Sequence, residues 1–491
     1  MCAGPHLDSE GTTTTCSGRR RPRSATRGHP RTDRTTRSEA DVNETATLSE
    51  YVSNVRIEDL PRSVVDFTKL LILDNLGCQI AGVEMPWSHR ILDAVVPLSA
   101  AGHSTVVGRS GRLAPDTAAF LNGTFSHSNE SDDSNFWSPS HPGAVSIPPA
   151  IAMGEHVGAS GQTLIEAVVA AYESHLRIAY AVRPFMFARG HHPPLAVGPF
   201  ASAAAAARIM ELSPAETLNA ISIAGSYSGG QMEYTQTGGS VKRLHCGIPA
   251  SAGIRATLLA QAGVTGPPTM LEGKRGFLTA FAGEYDVSWL CRELGEKYLV
   301  KQTAIKLFSC CHLIQPVLEG IAILQKEQRF DPVDVECVRV FSTNPAAVSH
   351  VGTIKAPTDV LGAQFSLAFS VAMNLHGRPN SWWDYNEVDL ADPTLVELAN
   401  RVSTELVDGE EMPFVTMKHL RIEFRDGTVR ELPVGHPIGE PDVLVSNAEV
   451  TDKFRRLTGP VVGADRAETI IATVDSLETL ANVRQLGALL A

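Results

Sequence analysis

The sequence predicts a mainly α-helical protein built from a large all-α domain and a smaller α+β domain. Three observations carry that prediction. Alanine-rich segments with helical spacing fill residues 47–299, strand-like alternation appears between 300 and 440, and a helical tail occupies 441–491. With 491 residues, 43% of them hydrophobic, the chain has ample material for two or more structural units. No repeat of fixed period is visible in the sequence.

Residues 1–46 stand apart. The stretch 19–37 carries eight arginines and one acidic residue among Ser, Thr, Gly and Pro. It has almost nothing apolar to bury and is expected to be disordered. An Arg-rich, acid-poor composition also suits a mitochondrial transit peptide, although Pro22 and Pro30 interrupt the amphipathic helix such a peptide needs. An extension from a misplaced start is the third reading.

Ordered chain is expected from about Thr47. Residues 47–83 read as two helices broken at Leu60-Pro61, the second carrying Val64, Val65, Phe67, Leu70, Leu71 and Leu73 at helical spacing. Helices follow in "DTAAFLNGTFSHS", "TLIEAVVAAYESHLRIAYAV", "PFASAAAAARIMEL" and "PASAGIRATLLAQAG", where the abundance of Ala implies close helix–helix approach. "SPAETLNAISIAG" has a clear start, with Ser213 as N-cap, Pro214 at N1 and Glu216 at N3. In the second unit "VDVECVRVFST" reads as a strand and "QFSLAFSVAMNL" as a helix. "HLRIEFRDGTVRELPV" reads as a hairpin turning at Asp426-Gly427, because Leu420, Ile422 and Phe424 alternate with charged residues. The tail "AETIIATVDSLETLANVRQLGALLA" is expected to pack back on the first domain.

Bulk properties exclude several classes. A net charge of −12 and the lack of a basic face in the body of the chain exclude a general nucleic-acid role. The eight cysteines show no C-x-x-C spacing, and the adjacent Cys310 and Cys311 cannot chelate one metal tetrahedrally. Free thiols in a reducing compartment are expected. No apolar run reaches the roughly 18–20 residues of a membrane span. Dinucleotide, Walker, zinc-protease and serine-elbow signatures do not occur. We therefore expect no cofactor, no metal and no membrane partner, in a cytoplasmic protein with the mitochondrion as the alternative.

Four clusters could carry chemistry. "HSNESDDSNFWSPSHPG" crowds Glu130, Asp132 and Asp133 with Ser134 and His141 between two apolar helices. "RGHHPPLAVG" projects His191 and His192 from an extended turn before two prolines. "TGGSVKRLHCG" delivers Lys242, Arg243 and His245 at the start of a helix, where anions are favoured. "AIKLFSCCH" places Lys306 in an apolar, strand-like run near the domain boundary. Singly, each has a bland explanation: Asp132 and Asp133 as helix caps, the histidines bonded to backbone, Lys242 and Arg243 as a solvated helix end, Lys306 snorkelling from a core. Together they supply cations for a polycarboxylate and imidazoles for proton transfer, which fits a lyase or isomerase acting beside a carboxylate.

At these clusters the sequence resembles the MmgE/PrpD family, from about residue 48 to the C-terminus. The resemblance rests on "LILDNLGCQIAG", "GRLAPDTAAFLNGTFSHSNESDD", "SPSHPGAVSIPPAIA", "HHPPLAVGPFASAAAAA" and "GGSVKRLHCGIPASAG", in that order. It implies a large helical domain (47–299 with 441–491), an α+β lid domain (300–440), a homodimer, and a site between the domains. It also implies catalytic roles for His141, His192, Glu130, Asp132 and Asp133. Lys242 and Lys306 would hold carboxylates with Ser134 nearby, and the same cluster adds Arg243 and His245 to the substrate-binding set. The chain departs from the family pattern at Glu130, where many members have Asp, at "DDSN" in place of D-D-T-H, and in "SNFWSPSH". It resembles the fungal-type cis-aconitate decarboxylases of the family more than the 2-methylcitrate dehydratases. A dehydratase, an epimerase or isomerase, and a non-catalytic relative plugged by Trp137 are the alternatives. Asn135, Phe136 and Trp137 are where substrate choice is expected to diverge.

Overall fold

The computed structural model describes residues 43–135, 137–234, 239–409, 417–435 and 445–491. The arginine-rich segment, with the expectations of disorder or a transit peptide attached to it, lies outside the described residues, as does Phe136. The protein is mainly α, with a smaller α+β part. The first helix is Glu44–Asn54, three residues ahead of the expected start, because the Asn43 side chain accepts from the Ala46 amide at 2.9 Å. Pro61 separates it from the helix Arg62–Val83, as the Leu60-Pro61 break predicts.

Two hydrophobic cores form. The larger draws on residues from Leu48 to Ile305 and again from Val445 to Leu490. In it, Pro115–Ser126, Pro142–Val157, Gly161–Val182, Pro193–Ile209 and Leu244–Gln261 pack tightly. Small residues set that closeness. A Cβ added at Gly253 would lie 2.4 Å from the Ala203 amide nitrogen, and one at Gly247 would lie 2.3 Å from the Phe120 carbonyl oxygen. The capping box on Pro214–Ala224 forms as predicted, Ser213 with Glu216. The tail helix Asn447–Val462 packs on Arg62–Val83, its Phe454 3.1 Å from where a Cβ at Gly77 would stand.

The smaller core runs from Cys310 to Val434 around a four-stranded sheet. Naming strands in chain order, β1 is Ala101–Thr105 and β2 is Arg112–Leu113, a two-stranded ribbon within the helical part that the sequence pattern did not suggest. The main sheet has β3 (Val335–Ser342), β4 (Val402–Leu406), β5 (Met417–Phe424) and β6 (Val429–Pro433) in the order β4-β3-β5-β6. β3 runs parallel to β4 and antiparallel to β5. The β5–β6 hairpin turns at Asp426-Gly427, where Gly427 takes φ 85° and the Asp426 side chain accepts from the Thr428 amide at 2.9 Å. Leu420, Ile422 and Phe424 are its buried face, as the alternation predicts. Two local expectations are corrected. "QFSLAFSVAMNL" is interrupted at Ser366, which caps Leu367–Leu375 by accepting from the Phe369 amide at 3.0 Å. Lys306 lies in irregular chain rather than a strand, anchored by the isolated bridge Ser134–Ala304.

A third small cluster joins the two parts. Trp382 packs with Cys78, Ala81, Met85 and Leu457, and the Trp383 indole donates to the Leu457 carbonyl at 3.0 Å.

Candidate active site

The acidic loop between Pro115–Ser126 and Pro142–Val157 is not a solvated turn. His127 to Ser134 are each 7% exposed or less. Polar groups buried so completely need partners, and other elements supply them. Asn129 donates to the Cys78 carbonyl at 3.1 Å and its own carbonyl accepts from Gln364 at 3.0 Å. The Ser131 hydroxyl meets that of Ser309 at 2.6 Å. The Ser131 carbonyl accepts from Lys453 at 2.6 Å. Ser134 and Ala304 exchange backbone hydrogen bonds at 2.8 and 2.7 Å. Both cores thus hold the loop, and Glu130 is locked at φ 57°, a left-handed conformation a glutamate rarely adopts.

Four separated segments converge on it. Lys242, from the single turn Ser240–Arg243, forms an ion pair with the Glu130 carboxylate. Lys306 donates to the Glu130 carbonyl at 3.0 Å and sits 3.8 Å from Asp132 Oδ1. Asp132 Oδ2 lies 2.7 Å from His127 Nδ1 and 3.3 Å from His141 Nδ1. His141 Nδ1 is 2.8 Å from the Asp133 carbonyl oxygen, so this nitrogen carries the proton and Nε2 the lone pair. His192, held before Pro193 by its amide donating to the Gly230 carbonyl at 2.7 Å, places Nδ1 3.0 Å from His245 Nδ1. The His127 ring centre is 4.8 Å from that of His141 and 5.9 Å from that of His192. Tyr234 stacks edge-on to both His192 and His245.

Electrostatics separate the groups. Burial would raise the Glu130 pKa, but Lys242, Lys306 and His127 bring it down to about 2. Burial likewise works against Asp132, and His141, His127 and Lys306 pull it well below the usual carboxylate range. Burial lowers Lys306, yet Asp132 and Glu130 more than restore it, so it stays an ammonium. Burial drives His141 down to about 3 and His245 to about 4, and pushes His192 well below its usual value. Burial thus favours the neutral form of these three imidazoles, while Asp132 works in the opposite direction on His141.

Of the predicted residues, Glu130, Asp132, His141, His192, Lys242, His245 and Lys306 come together. Three stand elsewhere or at the edge. The Asp133 carboxylate turns to the Gly143 amide at 3.0 Å and the Tyr172 hydroxyl at 2.6 Å, so it caps the helix Pro142–Val157. Burial lifts its pKa to about 7. Arg243 lies over the Trp87 ring at 3.7 Å. Ser134 Oγ meets His312 Nδ1 at 3.1 Å. The plug suggested by Trp137 is not seen. Trp137 is 40% exposed, with the Arg183 guanidinium 4.7 Å from its ring centre. Asn135 is a strut, donating to the Tyr180 hydroxyl at 3.0 Å and the Gln302 carbonyl at 2.7 Å. Sequence reasoning passed over His127, whose five-residue spacing to Asp132 was the available signal. It also passed over Asp74 and Lys453, which carry no local pattern.

Among the described residues, His127, Asp132 and His141 offer donor atoms within 4.8 Å of one another, close enough to share a cation. The donor chemistry favours protons, because His141 Nδ1 needs its hydrogen for the Asp133 carbonyl and the Lys306 ammonium stands 3.8 Å from Asp132.

A mainly helical chain with a second α+β core brings imidazoles, carboxylates and lysines into one buried cluster. The chain belongs to the MmgE/PrpD family. It matches the MmgE/PrpD N-terminal domain over residues 46–290 and the C-terminal domain over residues 308–479. It is 29% identical to a cis-aconitate decarboxylase of Aspergillus terreus, over 93% of this chain and 98% of that protein. The cis-aconitate decarboxylases of Mus musculus and Homo sapiens are 27% and 26% identical, over 91% of this chain and 93% and 94% of theirs. Among the described residues no helix is long and apolar enough to cross a membrane.

Proposed function

We propose that the protein is a cofactor-independent lyase for a small di- or tricarboxylate, converting cis-aconitate to itaconate and CO2. One observation carries the reading: Lys242, Lys306, His141 and His192 come from four distant segments into one buried cluster with Glu130 and Asp132. The names and coverage of the relatives support it.

Lys242 and Lys306 hold substrate carboxylates, and exclusion of water strengthens each contact. The carboxylate that leaves stands out of the plane of the neighbouring alkene. As its C–C bond breaks, that pair forms the new terminal alkene. The old alkene pair moves to the far carbon, which takes a proton from an imidazole, His141 or His192. Acid–base assistance of this kind is worth about 10²–10⁴-fold. A dehydratase or epimerase would use the same imidazoles, and product identity separates the three. Incubation with cis-aconitate, 2-methylcitrate and citrate, followed by mass spectrometry, is expected to give itaconate from the first. Alkene or stereoisomer formed without CO2 would replace this reading. His141→Ala and Lys242→Ala are expected to abolish turnover with unchanged circular dichroism.

The two cores are proposed to act as the domains 47–299 with 441–491 and 300–440, the second closing over the site. A homodimer is proposed through exposed apolar residues such as Ile248, Leu258 and Leu259, each 37–40% exposed on one helix. A monomer in light scattering would remove that part.

A further inference from the structure

We propose that His127 is a third catalytic imidazole, the one that passes the proton to substrate carbon, with Asp132 as its positioning residue. The inference rests on the function proposed above and moves its carbon-protonating step from His141 or His192 to His127.

Three observations converge. First, His127 Nδ1 is 2.7 Å from Asp132 Oδ2. A carboxylate oxygen accepts, so Nδ1 holds the hydrogen and Nε2 holds the lone pair. Second, that Nε2 is buried without a hydrogen-bond partner among the described residues, in a residue 1% exposed. Leaving such an atom unmatched costs about 1–3 kcal/mol, and an unmatched buried group of this kind calls for a reason. A reacting substrate supplies one. Third, the ring neighbours those of both His141 and His192, at 4.8 and 5.9 Å. Those two have committed Nδ1 to the Asp133 carbonyl and to His245. Of the three rings, His127 has the closest carboxylate contact. Asp132 Oδ2 stands 2.7 Å from His127 Nδ1 against 3.3 Å from His141 Nδ1.

The step balances. His127 enters as the imidazolium, Nδ1–H on Asp132 and Nε2–H toward substrate. As CO2 leaves and the electron pair reaches the far carbon, the Nε2–H bond breaks and a C–H bond forms. Nε2 regains its lone pair, and solvent restores the proton between turnovers.

His127→Asn is the informative variant, because the asparagine amide can still donate toward Asp132 while Nε2 is lost. Tricarballylate, a saturated tricarboxylate with no alkene to activate, reports binding alone by calorimetry. The expected result is a Kd within about threefold of wild type and kcat reduced roughly 10²–10⁴-fold. Asp132→Asn is expected to lower kcat while leaving KM near wild type, as a positioning residue does. Retention of kcat within tenfold in His127→Asn, or loss of binding in step with kcat, overturns the proposal. Nitrogen NMR of ¹⁵N-histidine wild-type protein gives a second readout that depends on neither turnover nor the folding of variants. The His127 Nε2 resonance is expected to be unprotonated in the free protein and to become protonated on adding tricarballylate. An Nε2–H in the free protein, or no change with ligand, also overturns it. If the wild type transforms none of the three tricarboxylates, the proposed function fails, and the NMR result alone decides the place of His127.

Discussion

Replacing Lys453 by methionine tests whether the C-terminal helix holds the site together. Lys453 is 3% exposed, its ammonium 2.5 Å from Asp74 Oδ1 and donating to the Ser131 carbonyl at 2.6 Å. Methionine keeps most of the bulk and removes the charge. Asp74, 2% exposed, then stands buried beside Asp132 without its counter-ion. Breaking one side of a buried pair costs about 3–5 kcal/mol. Burial already raises the Asp74 pKa, and Lys453 is the main charge opposing it. Without the lysine the carboxyl shifts further up and escapes part of the cost by binding a proton. The destabilisation is therefore greater at pH 8 than at pH 5. Urea unfolding followed by circular dichroism at both values measures it, and the double variant Asp74→Asn/Lys453→Met is expected to recover most of the loss. Ser131 stands between Glu130 and Asp132, so kcat is also expected to fall. A cost below about 1 kcal/mol at pH 8, or a double variant as unstable as the single one, refutes the reasoning.

Glu130→Gln removes a negative charge next to the ligand site and frees Lys242. Tricarballylate is expected to bind roughly tenfold more tightly, about 1.4 kcal/mol, by calorimetry; weaker binding contradicts the ion-pair reading. Glu130 has a pKa of about 2 against an ordinary 4.5, so it contributes stability above pH 4.5 that is lost as pH falls toward 2. Acid unfolding of Glu130→Gln is expected to be flatter across that window. Asp133→Asn is expected to keep kcat within about tenfold, because the carboxylate caps a helix; a loss as large as that of Asp132→Asn by steady-state kinetics would return Asp133 to the catalytic set. With a pKa of about 7 against 3.8, Asp133 binds a proton on folding between those values. Stability therefore declines as pH rises through that window, and urea midpoints of Asp133→Asn are expected to lack that decline.

Periodic features were legible in the chain because local physics dictates them. The Leu60-Pro61 break, the Ser213 capping box and the hairpin at Asp426-Gly427 each depend on neighbours within a few residues. The site was legible where chemically loaded residues cluster in sequence, as in Glu130–His141. The errors lie where long-range packing decides. Asp132 and Asp133 are adjacent and alike, yet one faces two imidazoles and the other a helix N-terminus, because Tyr172 arrives from a distant helix. The bulk of Trp137 suggests a plug as one alternative, but its ring meets the Arg183 guanidinium at 4.7 Å and the residue is 40% exposed. Asp74 and Lys453 are 379 residues apart, and neither stretch signals a buried ion pair.

The charges around the site nearly cancel, and that constrains how the proposed polycarboxylate enters. Lys242 faces Glu130, Lys306 lies 3.8 Å from Asp132, and Lys453 lies 2.5 Å from Asp74. Burial favours the neutral form of His141, His192 and His245. A substrate bringing two or three negative charges finds no unmatched cation among these lysines. An unpaired charge in so dry a place is costly, so something must change on binding. Either Glu130 releases Lys242, or an imidazole takes a proton from solvent. The second route makes the reagent the reaction needs, since a substrate anion that raises imidazole basicity creates its own acid beside the carbon to be protonated. Tricarballylate binding is therefore expected to take up close to one proton, read from calorimetric enthalpies in buffers of different ionisation heat. Zero uptake would mean that opening of the Lys242–Glu130 pair alone accommodates the ligand, and would count against an imidazolium at His127 in the ligand complex.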